Sequence, residues 1–372
     1  VERTEWDQPA EPAPRWRALL DRALLGRTDE NQQVGGAQPP AGQQGSRVTV
    51  DGYQTEQPAV GAGTHGDGYR HRYGALAGQP ARVDTGAYPQ PGQIEWRQAQ
   101  PRDDATAHAI ASLRRDLGRP RVLAFANPKG GVHKTTATAL TAATIGSVRG
   151  RGVLAWDDNE LRGTLGLRAG SARHARTIRH LIADLAEVEA SGGLELADRV
   201  DDYLRHASDG TYDVLAGEEN PRFAQHLDQH TVRRVLELLC RTHDVVCVDT
   251  GNNVESANWR TVLQAADQLV VTTVPREDAA FTADWMLDLL NDQGMGRLAA
   301  GAVTLLSCAT PGHPPLLEDL RAHFTSRTRG VAVVPYDPVL ESGSSIEPSM
   351  LQPATRQAWL HAAAMMIDAM GQ

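Results

Sequence analysis

From residue 121 onward, short apolar runs alternate with stretches in which apolar residues recur at helical spacing. The runs Val122–Ala126, Val153–Asp157, Asp213–Ala216, Val245–Thr250, Leu269–Thr273, Ala302–Leu306 and Val331–Val334 predict strands. Between them, Thr135–Val148, Ile178–Ala190, Thr231–Thr242, Ala279–Asn291, Leu316–Thr328 and Ala354–Met370 predict helices. Regular alternation of strand and helix predicts an α/β fold, a mostly parallel twisted sheet with helices on both faces. The continuous apolar run Val245-Val246-Cys247-Val248 predicts a strand buried on both sides. A helix over Ala107–Leu117 leads into this region, and no internal repeat is visible.

The first third is built differently. Residues from about 30 to 104 are rich in Gly, Gln, Pro, Ala and Arg, as in Gln38-Pro39-Pro40-Ala41-Gly42. Aliphatic side chains are too sparse there to offset the entropy of ordering, so the stretch reads as a linker or disordered arm. The expected division is an extension over 1–104 and an α/β domain over 105–372. One island stands out within the extension. Trp16, Leu19, Leu20, Ala23 and Leu24 fall on one helical face within 15–26, flanked by Arg15, Arg17, Arg22 and Arg27. Such a helix suits a partner groove or an anionic membrane surface, or it docks on its own domain. The C-terminal stretch carries Trp359, Leu360, Met365, Met366 and Ile367 but no basic face, which predicts a packed core helix rather than a membrane anchor.

Composition narrows the class. Hydrophobic residues make 41% and charged residues 22% of 372 positions, ordinary for a soluble globular protein. No apolar run approaches the roughly 20 residues of a membrane span, and the polar start Val1-Glu2-Arg3-Thr4-Glu5 is no secretory signal. Cys240, Cys247 and Cys308 lack metal-ligand spacing and predict reduced thiols in a cytoplasmic protein. The net charge is −9, with the acidic excess almost entirely beyond residue 120. That balance disfavours wholesale nucleic-acid binding, although arginines such as Arg233, Arg234, Arg321 and Arg327 could form a local strip.

The strongest chemical signal is lysine usage. Among 37 basic residues only Lys129 and Lys134 are lysines, and both lie in Lys129-Gly130-Gly131-Val132-His133-Lys134-Thr135-Thr136. A compact ammonium was kept where a planar guanidinium would not serve, as at the phosphate end of a nucleotide. The loop lies between a predicted strand and a predicted helix N-terminus, where free N–H groups and the helix dipole favour an anion. Lys134 is then placed for the β- and γ-phosphates, and Thr135 for Mg²⁺. Pro128 and His133 stand where an ordinary Walker A loop has glycines. His133 either crowds the β-phosphate or donates to it.

The remaining pattern, K-G-G-x-x-K-T-T, resembles the deviant Walker A of the ParA/MinD family of P-loop ATPases, over about residues 121–365. The resemblance implies a P-loop NTPase fold binding ATP and Mg²⁺ at Lys129, Gly130, Gly131, Val132, His133, Lys134, Thr135 and Thr136. It implies that Lys129 reaches the partner's nucleotide across a sandwich homodimer. Asp157 matches the first aspartate of the family's switch segment, and Asn159 stands where the second carboxylate would position water. An amide orients water but takes no proton, so hydrolysis is expected to be slow unless Asp158 or Glu160 substitutes. Asp249 closes a Walker B-like strand and is expected at Mg²⁺ with Thr135. Asn252 and Asn253 either contact the γ-phosphate or cap the next helix. Pro335 and Asp337 resemble the late segment that brackets the base, while Ser307-Cys308 stand where relatives often place a base-reading Asn.

The implied function is a nucleotide-switched ATPase that partitions or positions DNA or a protein assembly. Its N-terminal arm would be available to DNA or a protein partner. The alternative is a weakly hydrolysing adaptor, since the arm ahead of a ParA-like domain also resembles ATPases of actinobacterial type VII secretion. Redox or tyrosine-kinase use of the fold would need paired cysteines at a dimer axis or a C-terminal tyrosine cluster, and neither is present.

Overall fold

Seven of the apolar runs assemble into one sheet in the computed structural model, which describes residues 101–159, 163–169, 176–218 and 228–371. The extension up to residue 100, with the expected helix over 15–26, lies outside the described residues, as does Glu160. The strands are β1 (Arg121–Ala126), β2 (Val153–Asp158), β3 (Arg205–His206), β4 (Asp213–Leu215), β5 (Val245–Thr250), β6 (Gln268–Thr273), β7 (Val303–Ser307) and β8 (Gly330–Val334). Their order is β3-β4-β2-β5-β1-β6-β7-β8. Every pairing is parallel except the antiparallel β3–β4 contact at one edge.

Two helical layers cover the sheet, and successive residues of a strand serve opposite layers. Val246 and Val248 of β5 pack with α4 (Ile178–Ala183), α5 (Leu185–Glu189), α6 (Gly193–Asp201), α7 (Gln229–Thr242), α8 (Ala257–Ala265), α9 (Glu277–Asp292), α10 (Gly296–Ala300) and α11 (Leu317–Arg327). Val245 and Cys247 face the other layer, made of α1 (Pro101–Arg114), α2 (Lys134–Arg149) and α12 (Pro353–Asp368). Trp156, Trp259 and Trp359 are fully buried in these layers, each contributing roughly 2–3 kcal/mol through apolar burial. Burial pushes the Cys247 thiol well up, as fits a core residue.

Most expected elements hold within two residues, and α12 is a packed helix with Trp359, Ala363, Met366 and Ile367 inside. The helix expected over Ile178–Ala190 breaks in two at Asp184, whose carboxylate accepts from Tyr203 Oη at 2.7 Å. Helix α1 starts at Pro101, ahead of the expected Ala107, and clasps α12. Ser112 Oγ donates to Asp368, and Arg115 donates to the Ile367 carbonyl. Among the described residues no helix is long and apolar enough to cross a membrane.

Candidate nucleotide site

Parallel strands converge their C-terminal ends on one edge of the sheet, where α/β folds place ligands. There β1 ends and the chain turns through Asn127–His133 into α2. Asn127 is fully buried, and its amide donates to the Thr272 carbonyl at 2.8 Å while its oxygen accepts from Lys129 N at 2.9 Å. Val132 is pinned against Val274 and Ala279. These two anchors fix the loop on β6 and α9. Gly130 and Gly131 are exposed, and Gly131 has φ 73°, a conformation that disfavours a side chain.

Lys134 opens α2 and is nearly buried. Its Nζ donates to Asn127 O at 2.9 Å and Lys129 O at 3.2 Å, and it contacts the side-chain oxygen of Asn252. Burial lowers its pKa, while the charge of Asp249 pulls it up. Asn252 therefore sits at the Lys134 end of the loop. The cap of α8 is Ser256, which accepts from Asn258 N, and Asn253 only closes a turn onto Glu255 N.

Thr135 Oγ1 donates to Asp249 Oδ2 at 2.6 Å. Asp157 lies directly beside Asp249 in the sheet register. A hydroxyl with two carboxylates is a hard-oxygen donor set that fits Mg²⁺. Asp158 follows Asp157 in the strand and so faces the opposite side of the sheet. The Asp157 carboxylate accepts from Leu165 N at 2.8 Å and Asn159 N at 3.2 Å. It is boxed in by Gly163 and Gly217. A Cβ on Gly163 would stand 2.8 Å from Asp157 Oδ2. Asn159 lies beside Gly251. Thr136, the third residue of α2, is buried.

Burial, and then the charge of Asp157, push the Asp249 carboxyl up to about 7, against the pull of the Thr135 hydrogen bond and of Lys134. An ordinary aspartate titrates near about 4. Between these values the folded protein holds a proton that the unfolded chain has released, so rising pH removes stability across that window. The metal-free protein should therefore melt at progressively lower temperature from about pH 4 to 7, and the slope should flatten in Asp249→Asn. Thermal melts of both proteins across that range check this; equal slopes would count against it.

His133 replaces a glycine at φ 64° and ψ 27°, a conformation costing a non-glycine residue about 1 kcal/mol. Its ring is held by a 2.9 Å hydrogen bond between Nδ1 and Ser307 Oγ at the end of β7. Burial lowers its pKa, assisted by the charges of Arg168 and Arg276. Lys129 pairs with Asp278 at 3.1 Å. Pro335 follows β8 on the neighbouring rim. Asp337 is buried there, and its carboxylate accepts from Val339 N at 3.1 Å and Gln352 N at 2.8 Å, so its charge fixes the loop itself. The structure thus gathers Lys134, Thr135, Asp249, Asp157 and Asn252 at one point, with His133 and Ser307 at its flank. Asn127 and Asp278 had no assigned role in the sequence, and Ser307, noted there only for its place near the base segment, holds His133 instead, because each acts through a partner far along the chain.

No family model matches the chain. Over 264 residues, 69% of this chain and 38% of the relative, it is 29% identical to the ESX-1 secretion-associated protein EspI of Mycobacterium tuberculosis. It therefore spans well under half the length of that relative. The structure is similar to the cell division ATPase MinD of Pyrococcus furiosus, with a TM-score of 0.51 and 21% identity over 66% of this chain and 97% of that one. It is also similar to a ParA family ATPase from Chlorobium tepidum, with a TM-score of 0.55 and 16% identity over 66% and 98%. These likenesses establish the fold as that of the ParA/MinD P-loop ATPases.

Proposed function

We propose that this chain is a ParA/MinD-type ATPase that binds ATP and Mg²⁺ in the cytoplasm and dimerises around the nucleotide. The observation that carries the reading is the convergence of Lys134, Thr135 and Asp249 at the end of β1. In this reading Lys134 holds the β- and γ-phosphates, and the N–H groups from Gly130 to Thr136 cradle them. Thr135 and Asp249 would hold the metal, which when bound neutralises phosphate charge. Lys129 leaves Asp278 to reach the partner's nucleotide. Asp157 and Asn159 orient water, and the loop at Pro335 and Asp337 brackets the base with its backbone. The contact of Lys129 with the partner's nucleotide forms only in the dimer, so ATP selects that state. The division near residue 104 leaves the arm to meet DNA or a protein assembly.

The test is the protein's size in solution with ADP, with ATP and with a non-hydrolysable analogue, each with magnesium. Dimer with ATP or the analogue and monomer with ADP is the expected pattern. A size unchanged by all three would sink the dimer switch.

A second reading, a weakly hydrolysing adaptor in secretion, is favoured by the similarity to EspI and by Asn159. A carboxylate at that position can accept a proton where the amide cannot. Asn159→Asp should raise phosphate release at least about tenfold, within the range general-base catalysis supplies. No gain would argue that slow turnover has another origin. Fast, DNA-stimulated hydrolysis by the unaltered protein would remove the adaptor reading.

A further inference from the structure

The segment after β2 and the loop after β8 meet at one residue. Asp157 Oδ2 accepts from Leu165 N at 2.8 Å, so that carboxylate is fixed to the first residue of the single turn α3, Leu165–Arg168. The turn packs closely against its neighbours at Gly166. A Cβ on Gly166 would stand 2.4 Å from an Arg205 guanidinium nitrogen. At the far end of the turn, Arg168 makes two contacts with the loop between β8 and α12. Its carbonyl accepts from Ile346 N at 2.8 Å, and its Nη1 donates to Ser344 O at 3.1 Å. Ile346 is buried, so the loop is seated there rather than grazing the surface. The same loop is closed on itself by Asp337, through Val339 N and Gln352 N.

Arg168 has no carboxylate partner among the described residues, and burial lowers its pKa. A half-buried guanidinium without a counter-charge is costly unless something holds it in place. Here the holders are a carbonyl of the β8–α12 loop and the first turn after the switch segment. Its charge is also felt at His133 in the phosphate loop.

We propose that Arg168 is a positioning residue that couples the base-side loop to Asp157, so that seating a nucleotide base fixes the water-orienting end of the site. This rests on the nucleotide reading above. A ligand that fills only the phosphate loop leaves the loop at 344–346 untouched, and the turn at 165–168 gains nothing from it. A ligand that also carries a base clamps that loop, and Arg168 passes the restraint to Leu165 and thence to the carboxylate. The side-chain bond to Ser344 O, rather than the charge alone or the backbone bond from Ile346 N, is what transmits it.

Amide hydrogen exchange on the full chain tests this, with magnesium and either a non-hydrolysable ATP analogue or inorganic tripolyphosphate. In the unaltered protein the analogue should slow exchange over 163–169 about fivefold more than tripolyphosphate does, the factor that one hydrogen bond supplies. In Arg168→Met, which keeps the packed stem, that difference should vanish while residues 342–352 stay protected by the analogue. Arg168→Lys, which keeps a donor of similar reach, should restore it. Equal protection of 163–169 by both ligands in the unaltered protein would overturn the coupling, and so would an undiminished difference in Arg168→Met. Lack of protection over 129–136 with either ligand would overturn the nucleotide reading and this inference together, so the two failures are distinguishable.

Discussion

Lys134→Ala is expected to weaken binding of magnesium-ATP at least about tenfold, as read by isothermal titration. The ammonium is nearly buried and is aimed by two carbonyls of its own loop, Asn127 O and Lys129 O. Its third contact, the amide oxygen of Asn252, is the one a phosphate oxygen would replace. One charge-assisted hydrogen bond to phosphate is worth about 1.5–3 kcal/mol in such a setting, or roughly one to two orders of magnitude in Kd. Arginine should not rescue the loss, because a planar fork cannot occupy the narrow space between those carbonyls. An affinity within threefold of the unaltered protein would show that the loop does not hold phosphates.

Lys129→Ala should act differently, sparing monomer affinity to within about threefold and abolishing ATP-dependent dimerisation in sedimentation velocity. Its partner Asp278 is half exposed, as is the lysine itself, with side-chain exposures of 49% and 41%. Such a pair contributes at most about 1 kcal/mol to the fold, so the ammonium is readily released to a stronger anion. The neighbouring Arg276 also pairs with Asp278 and keeps that carboxylate satisfied when Lys129 departs. Dimerisation that survives the substitution would assign the trans contact to another residue.

The parts of this site that can be read from sequence are those in which chemistry and position are contiguous. Two lysines in one glycine loop, a hydroxyl one residue on and an aspartate closing an apolar strand announce phosphate and metal without any tertiary information. The strands were equally legible, since burial on both faces leaves an unbroken apolar run. What sequence could not supply was the identity of distant partners. His133 meets Ser307, 174 positions away, and Arg168 meets Ser344, 176 positions away. No periodicity encodes such pairs. Val132 reads in the sequence only as a residue of the nucleotide loop, and its packing on Val274 and Ala279, which seats that loop, leaves no mark there. The two-residue strand β3 and the one-turn α3 are too short to leave a pattern. The helix expected over Ile178–Ala190 was misread because Asp184 is committed sideways to Tyr203.

The clasp between the first and last helices has a mechanical meaning. Among the described residues, α1 is tied to α12 by Ser112 and Arg115. In turn α12 rests on α2, with Met366 against Thr141, and α2 is the helix that Lys134 begins. A displacement of α1 would thus travel through α12 to the start of α2 rather than dissipate at the periphery.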